Sequence, residues 1–145
     1  MSERADRIAA LKEAAAQRIL VLDGGWGAMI QRKGLEEADF RAARFKDHPG
    51  QMKGNNDILC LTRPDIVTEL HDAFFAVGAD ISETNTFSST VIAQADYDLG
   101  EAEVIDINRE GARLARASAD AWTAKNPAKP RFVAGSIGPL NKMLS

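Results

Sequence analysis

The stretch Ile19-Leu20-Val21-Leu22-Asp23-Gly24-Gly25-Trp26-Gly27 decides the fold class of this chain. Its first part is a continuous apolar run, too short for a helix and bounded by glycine, which is typical of a strand buried on both faces of a parallel sheet. The second part presents a carboxylate and then a glycine-rich backbone that can adopt positive φ and approach a ligand closely. We therefore predict a strand at residues 18–22 whose carboxyl end opens into a ligand-binding loop.

Two further segments repeat this arrangement of a short strand followed by a polar loop. A strand predicted from Asp80 to Thr84 leads into Glu83-Thr84-Asn85-Thr86-Phe87, and a strand predicted from Arg131 to Ala134 leads into Gly135-Ser136-Ile137-Gly138-Pro139. The carboxyl ends of parallel strands lie at one edge of a sheet, where α/β proteins bind their ligands. The sequence therefore predicts three polar loops side by side at that edge.

Helical patterns separate the predicted strands. Apolar spacing predicts helices at residues 4–17, from Thr62 to Val77 with Thr62 as N-cap and Gly78 as the stop, over 88–99, and from Glu101 to Lys125. Residues 34–57 form a long excursion rich in turn residues, with a short helix expected around Asp39–Phe45.

Parallel strands separated by helices predict an α/β fold made of βαβ units with right-handed crossovers. Three strand ends that each carry polar residues favour the first three or so βα units of a (β/α)8 TIM-type barrel, which would be incomplete because a whole barrel needs about 250 residues. A doubly wound sheet is the alternative.

Composition excludes several classes of function. The chain has 145 residues, of which 45% are hydrophobic and 27% charged, with a net charge of −3 and no basic cluster, so nucleic acid is not expected as a partner. No apolar run approaches the ~18 residues needed to cross a membrane, and the N-terminus lacks the apolar core of a secretory signal. A single cysteine cannot form an internal disulfide, which favours a cytoplasmic protein.

The carboxylates Asp23 and Glu83 follow neighbouring strands and are expected to point into one pocket. Two carboxylates beside a turn of free backbone N–H groups suit a zwitterion, which indicates an amino-acid ligand. The alternatives are that Asp23 caps its own loop, and that Glu83 is satisfied by backbone beside a helix N-cap at Thr86 or Ser88. The glycines lack the spacing of a phosphate-binding loop.

The remaining chemically distinctive residues favour structural roles. Cys60 lies in an apolar run and is expected to be a core thiol, and without a cysteine pair a zinc site within the chain is not expected. His48 is expected to be exposed, and His71 to be packed or at the surface rather than a ligand. Trp26 either walls a pocket or caps the core, and the two roles stay open.

Six segments allow comparison with known families. They are Leu22-Asp23-Gly24-Gly25-Trp26-Gly27-Ala28-Met29-Ile30-Gln31; Glu37-Ala38-Asp39-Phe40-Arg41 with Arg44-Phe45; Lys53-Gly54-Asn55-Asn56-Asp57; Leu61-Thr62-Arg63-Pro64; Gly78-Ala79-Asp80 with Glu83-Thr84-Asn85-Thr86-Phe87; and Ala134-Gly135-Ser136-Ile137-Gly138-Pro139. Together they resemble the homocysteine S-methyltransferases, and the second and third segments look more particular to the homocysteine-binding domain of cobalamin-dependent methionine synthases.

This resemblance implies a (β/α) barrel that transfers a methyl group to homocysteine to give methionine. Homocysteine binds at the carboxyl ends of the strands with its thiolate on zinc, and the methyl group comes from methyltetrahydrofolate through methylcobalamin. The resemblance implies a substrate-binding role for seven residues of this chain and a catalytic role for none. The seven are Asp23, Gly24, Gly25, Gly27, Glu83, Asn85 and Thr86.

The chain departs from the family pattern in two respects. Ala28 stands where many members have Thr, and the zinc-binding cysteines of the family lie beyond the position of Ser145. We therefore expect an N-terminal helix (1–17), a truncated homocysteine-binding barrel domain (18–145), no bound zinc or cobalamin, and no activity of the isolated chain. The alternatives are a binding or assembly module that completes a barrel with a partner chain, and a remnant of a truncated gene.

Overall fold

A small parallel sheet forms the centre of the fold. The computed structural model describes residues 3–140, so the last five residues of the predicted barrel segment lie outside it. Strands β1 (Ile81–Glu83) and β2 (Phe132–Ala134) pair in parallel, with Ile81 opposite Phe132. Leu22 forms a parallel bridge to Ile81, so three chain segments lie side by side in chain order.

The predicted strand at residues 18–22 is reduced to this single bridge. The backbone oxygen of Val21 accepts from the N–H groups of Asp80 and Ile81, but the N–H of Val21 donates to the Asp80 carboxylate instead of a neighbouring strand. Burial on both faces was also wrong, since Ile19 is 89% exposed and Val21 54%. Within the described chain, this segment is paired on one side only.

Helices surround the sheet. They are α1 (Glu3–Gln17), α2 (Trp26–Gln31), α3 (Glu37–Arg41), α4 (Leu59–Thr62), α5 (Pro64–Ala76), α6 (Val91–Gln94) and α7 (Glu101–Lys125), with short 3-10 turns at Asn56–Ile58 and Ala95–Tyr97. The long helix α7 packs against α5, α4 and both strands. None of the helices in residues 3–140 is both long enough and apolar enough to span a bilayer.

Several predicted helix boundaries require correction. Thr62 is not an N-cap: it ends α4, where its hydroxyl bonds back to the carbonyl of Ile58, and α5 begins at Pro64. The helix expected over 88–99 is only α6, capped by the hydroxyl of Thr90, and a 3-10 turn. Side chains that bond to nearby backbone favour such caps and short turns over continued helix.

The excursion at residues 34–57 is packed into the core. Its short helix is α3, slightly earlier than expected, and the carboxylate of Glu37 accepts from the backbone N–H groups of Met52 and Lys53. Arg41 donates to the carbonyls of His48 and Gly50. These bonds close the segment into a folded loop, which buries Phe40, Phe45 and Met52. His48, expected to be exposed, is half-buried against the Phe45 ring.

A cluster of charges holds the amino end of β1. The Asp80 carboxylate is 1% exposed and pairs with both terminal nitrogens of Arg18, at 2.7 and 2.8 Å. Arg131 and Lys129 each lie 3.8 Å away. The hydrogen bonds from Arg18 lower the pKa of Asp80 to about 2, so the carboxylate stays charged at neutral pH.

Candidate functional site

A cleft of about 410 Å³ opens at the carboxyl ends of the strands. Five chain segments form it: the glycine loop and α2 at residues 25–30, the turn at residues 54–57, the end of β1 with the polar loop after it, Tyr97, and Ser136 after β2. The three strand ends predicted from the sequence therefore meet at one place. Of the seven predicted site residues, four line this cleft, namely Gly25, Gly27, Glu83 and Asn85.

Asp23 lies beside the cleft but not in its lining. Its carboxylate accepts hydrogen bonds from the indole nitrogen of Trp26 at 3.0 Å, from the hydroxyl of Ser82, and from the backbone N–H of Glu83 at 3.0 Å. The expectation that Asp23 and Glu83 both point into one pocket therefore holds for Glu83 alone. Asp23 instead joins the glycine loop to the end of β1.

A buried histidine extends this network. His71 on α5 is fully buried, and its Nδ1 lies 2.7 Å from the Ser82 hydroxyl. Since Ser82 gives its only proton to Asp23, His71 must donate to Ser82 from Nδ1. Within residues 3–140 its Nε2 has no hydrogen-bond partner. Burial lowers the pKa of His71 to about 4, so the ring is neutral at pH 7 with its proton on Nδ1.

Trp26 connects the network to the cleft. Its ring meets the His71 ring edge-on at a centroid distance of 4.6 Å and also contacts Phe74. The same residue lines the cleft. Trp26 is thus a wall of the pocket whose orientation is fixed by its bond to Asp23, and it also packs against the hydrophobic core, so both roles left open by the sequence apply.

Glu83 presents the least engaged carboxylate at the site. It is half-buried, it lines the cleft, and its side chain makes no hydrogen bond or ion pair with any residue in the described range. Asn85 lies on the same side, and its amide donates to the carbonyl of Asn56 at 2.8 Å, which fixes the turn at residues 54–57. Strand alternation would place Glu83 and Asn85 on one face, but β1 ends at Glu83 and the intervening Thr84 lines the same cleft.

The glycine loop offers backbone donors. In residues 3–140, none of the N–H groups of residues 24–28 donates a hydrogen bond. Gly25 has a φ of +70°, a conformation that favours glycine, and space for a side chain is open around it. Gly24 is exposed outside the lining of the cleft. The loop can therefore present free N–H groups to an anionic group of a ligand.

Thr86 is a support rather than a lining residue. It is buried, its hydroxyl lies 2.7 Å from that of Thr84, and it donates to the carbonyl of Ser136 at 2.9 Å. Gly111 on α7 packs directly behind it, because a Cβ there would lie 2.7 Å from the Thr86 methyl group. The predicted N-cap at Thr86 or Ser88 is wrong, because Thr90 holds that role.

Sequence reasoning missed one side of the cleft. Asn55, Asp57 and Tyr97 contribute to its wall, and the amides of Asn55 and Gln94 bond to each other at 2.7 Å beneath it. Asn55-Asn56-Asp57 was interpreted as turn chemistry and as part of a segment that resembles the family, but not as a wall of the site. The available signal was three consecutive polar residues directly before the apolar Ile58–Leu61 run, since a turn that leads into buried residues must itself be anchored.

The described residues do not form a zinc site. Cys60 is the only cysteine in the sequence and is 1% exposed, as expected for a core thiol. Burial and the nearby Asp57 raise the pKa of its thiol to about 12, which opposes the thiolate that zinc requires. No three His, Cys, Asp or Glu side chains within residues 3–140 lie close enough together to hold a metal ion.

A cleft at the carboxyl ends of parallel strands is the place where α/β proteins generally bind small molecules. The family model of homocysteine S-methyltransferase matches residues 20–145, which is most of the sequence. The chain belongs to the homocysteine S-methyltransferase family.

Solved structures agree with this fold. The homocysteine methyltransferase MmuM from Escherichia coli in its metallated form is similar with a TM-score of 0.68 and 24% identity, over 89% of this chain and 41% of that one. Its oxidized form gives a TM-score of 0.64 and 27% identity, over 83% of this chain and 37% of that one. The chain thus spans about two fifths of the length of these proteins.

Proposed function

We propose that this chain provides the amino-acid-binding part of an enzyme that transfers a methyl group to the sulfur of homocysteine to give methionine. The observation that supports the proposal is the cleft itself. It combines an unengaged carboxylate, Glu83, with the free backbone N–H groups of the glycine loop. A zwitterionic amino acid needs an acceptor for its ammonium group and donors for its carboxylate, and this cleft offers both.

Each predicted site residue then has a role in binding homocysteine. Glu83 pairs with the ammonium group, and the N–H groups around Gly25 and Gly27 bind the carboxylate. Asp23 orients Trp26 and the end of β1. Gly24, Asn85 and Thr86 support the site: Gly24 continues the loop, while the other two hold neighbouring turns through hydrogen bonds.

The methyl-transfer step requires groups beyond these residues. In the proposed enzyme, zinc would bind the substrate thiol. Methylcobalamin, recharged by methyltetrahydrofolate, would supply the methyl group. The donor set of this chain does not fit zinc, because its one cysteine is buried and its pKa is raised. We therefore propose that the isolated chain binds homocysteine but does not methylate it, and that the cytoplasm is its site of action.

The proposed architecture is the opening part of a (β/α)8 barrel. Residues 18–145 would form its first βα units, and residues 1–17 an N-terminal helix joined to them. Three parallel segments adjacent in chain order, and the likeness to MmuM over about two fifths of that protein, support this arrangement. A complete barrel would place further strands beside Val21 and beside β2.

Calorimetric titration of the purified chain with L-homocysteine tests this proposal. We expect binding by the wild-type chain and a loss of about tenfold or more in Glu83→Gln, because that change removes one charge-assisted contact. Glu101→Gln at the exposed start of α7 is the matched control and should bind as the wild type does. Absence of binding by a chain that circular dichroism shows to be folded would contradict the proposal.

An assembly module is the second candidate, because apolar side chains lie exposed beside the sheet. Ile19 is 89% exposed, Val21 54% and Leu22 48%, along an edge that is paired on one side only in residues 3–140. Such an edge can pair with another chain. We propose that a chain carrying later strands completes the barrel here, and native mass spectrometry of the mixture would detect the discrete heterodimer. Only separate monomers would argue against this candidate.

A further inference from the structure

Asp57 is a buried carboxylate with one oxygen uncommitted. It is 4% exposed, and its Oδ2 accepts from the backbone N–H of Ser88 at 2.7 Å and from the hydroxyl of Ser89 at 2.8 Å. Its Oδ1 accepts no hydrogen bond from residues 3–140, yet that atom is not sealed from solvent. Since Asp57 lines the cleft, the free oxygen is available to a group bound there.

The charge of the cleft is unbalanced. Asp57 and Glu83 both line it, and its described lining contains no lysine, arginine or histidine. This contrasts with Asp80, whose carboxylate has three cationic side chains within 4 Å. A buried carboxylate without a cation is costly, so a bound cation stabilises it.

We propose that Asp57 is a specificity-determining residue that binds the ammonium group of the amino-acid substrate together with Glu83. The inference rests on the proposed function and adds a residue to its site. Oδ2 keeps the carboxylate anchored on the loop after β1, while Oδ1 accepts a hydrogen bond from the ammonium group. The cleft therefore selects α-amino acids over otherwise identical acids that lack the amino group.

The surroundings of Asp57 make this interaction dependent on pH. Burial raises the pKa of Asp57, so its carboxylate becomes neutral at a higher pH than an exposed one and then loses its attraction for ammonium. The titratable groups that interact with it are Cys60 on α4 and Tyr97 in the 3-10 turn, and Glu83 lines the same cleft. The pKa of the Cys60 thiol and that of the Tyr97 phenol are both raised, so these two stay neutral throughout the acid range.

The test compares two ligands with three proteins. L-homocysteine and 4-sulfanylbutanoate, which lacks only the amino group, are titrated into the wild-type chain, Asp57→Asn and Asp47→Asn. The Asp57→Asn change keeps an oxygen for Ser88 and Ser89 but removes the charge, and Asp47 is an exposed aspartate away from the cleft. We expect Asp57→Asn to weaken homocysteine about tenfold or more and 4-sulfanylbutanoate by less than about twofold. Asp47→Asn should change neither.

The outcomes separate this inference from the proposed function. If the wild type and Asp57→Asn bind homocysteine equally well, Asp57 does not contact the ammonium group. The same conclusion follows if Asp57→Asn weakens binding of both ligands to the same extent. If the wild type binds no homocysteine, the proposed function and the inference both fail. Zn²⁺ alone is titrated in parallel into the wild type and Asp57→Asn. Binding of Zn²⁺ by the wild type that is lost in Asp57→Asn would overturn the inference and indicate a metal site. Repeating the homocysteine titration at lower pH should weaken wild-type binding more than that of Asp57→Asn.

Discussion

The buried carboxylates near the two ends of strand β1 differ in their charged partners. At the amino end, Asp80 is 1% exposed and is neutralised by Arg18, with Arg131 and Lys129 close by. At the carboxyl end, Asp57 is 4% exposed and has only neutral donors around it. The burial is nearly the same, so the difference lies in the partners.

This difference separates stability from binding. A carboxylate whose charge is already matched holds chain segments together, and here it joins the end of α1, the segment before the glycine loop and β1. A carboxylate without a matching charge can still form an ion pair, and a cationic group of a ligand can supply the partner. In parallel α/β folds the amino ends of the strands generally serve stability and the carboxyl ends chemistry.

The largest expected effect comes from removing the matched charge. Asp80→Asn should lower the free energy of unfolding by about 3 to 4 kcal/mol, because it leaves the buried Arg131 without its counter-charge and weakens the Arg18 contact. Urea denaturation at pH 7 measures this loss. Asp47→Asn is the control and should cost less than about 0.5 kcal/mol. Equal free energies of unfolding for the two variants would show that the charge of Asp80 does not stabilise the fold.

As the pH is lowered, the hydrogen-bonded network of His71, Ser82 and Asp23 should lose its contribution to stability at a higher pH than the ion pairs of Asp80. The pKa of His71 in the folded state is about 4, below the ordinary value of 6.5, so the unfolded chain binds the proton more readily. The stabilisation is therefore complete above pH 6.5 and is lost as the pH falls towards 4, by about 3 kcal/mol. The pair at Asp80, whose pKa is about 2, loses its contribution only below about pH 4.

Urea denaturation at pH 7, 5.5 and 4 measures this dependence. His71→Asn keeps a donor for Ser82 but does not titrate, so its stability should be lower at pH 7 and nearly constant between pH 7 and pH 5.5. The wild type should lose stability over the same interval. Parallel curves for the two proteins would show that His71 is not the group responsible.

The smallest of these effects concerns the glycine loop. Gly25→Ala should reduce stability by about 1 kcal/mol, because alanine is strained at a φ of +70° although the space around it is free. Gly24→Ala is the matched control: it also has free space, but its φ lies outside the strained range, so its stability should change little. A thermal melt of both variants decides the point, and a similar loss in each would assign the cost to something other than φ.

The sequence predicted elements whose causes are local. The helix at Glu101–Lys125 was predicted at its observed bounds, because its apolar spacing and the Asn-Pro stop are local signals. The strand at residues 18–22 was overestimated, since pairing depends on neighbours that the local pattern does not describe.

The parts that were missed depend on contacts distant in sequence. Asp57 was interpreted as a turn residue because its partners, Ser88 and Ser89, lie about 31 positions away. Likewise, nothing local indicated that Asp23 would be engaged by Ser82 across 59 positions. A carboxylate in a sequence can be assigned to binding or to support only when the donors brought to it by the fold are known.

The contact of Gly111 with Thr86 has a consequence for redesigning this pocket. A side chain at position 111 would press on the Thr86 methyl group, and Thr86 holds the loop after β2 through the carbonyl of Ser136. A substitution on α7 is thus expected to alter the width of the cleft, although no residue of that helix lies in the lining of the cleft. Random mutagenesis selected for altered ligand size should return substitutions on α7 as well as in the cleft walls.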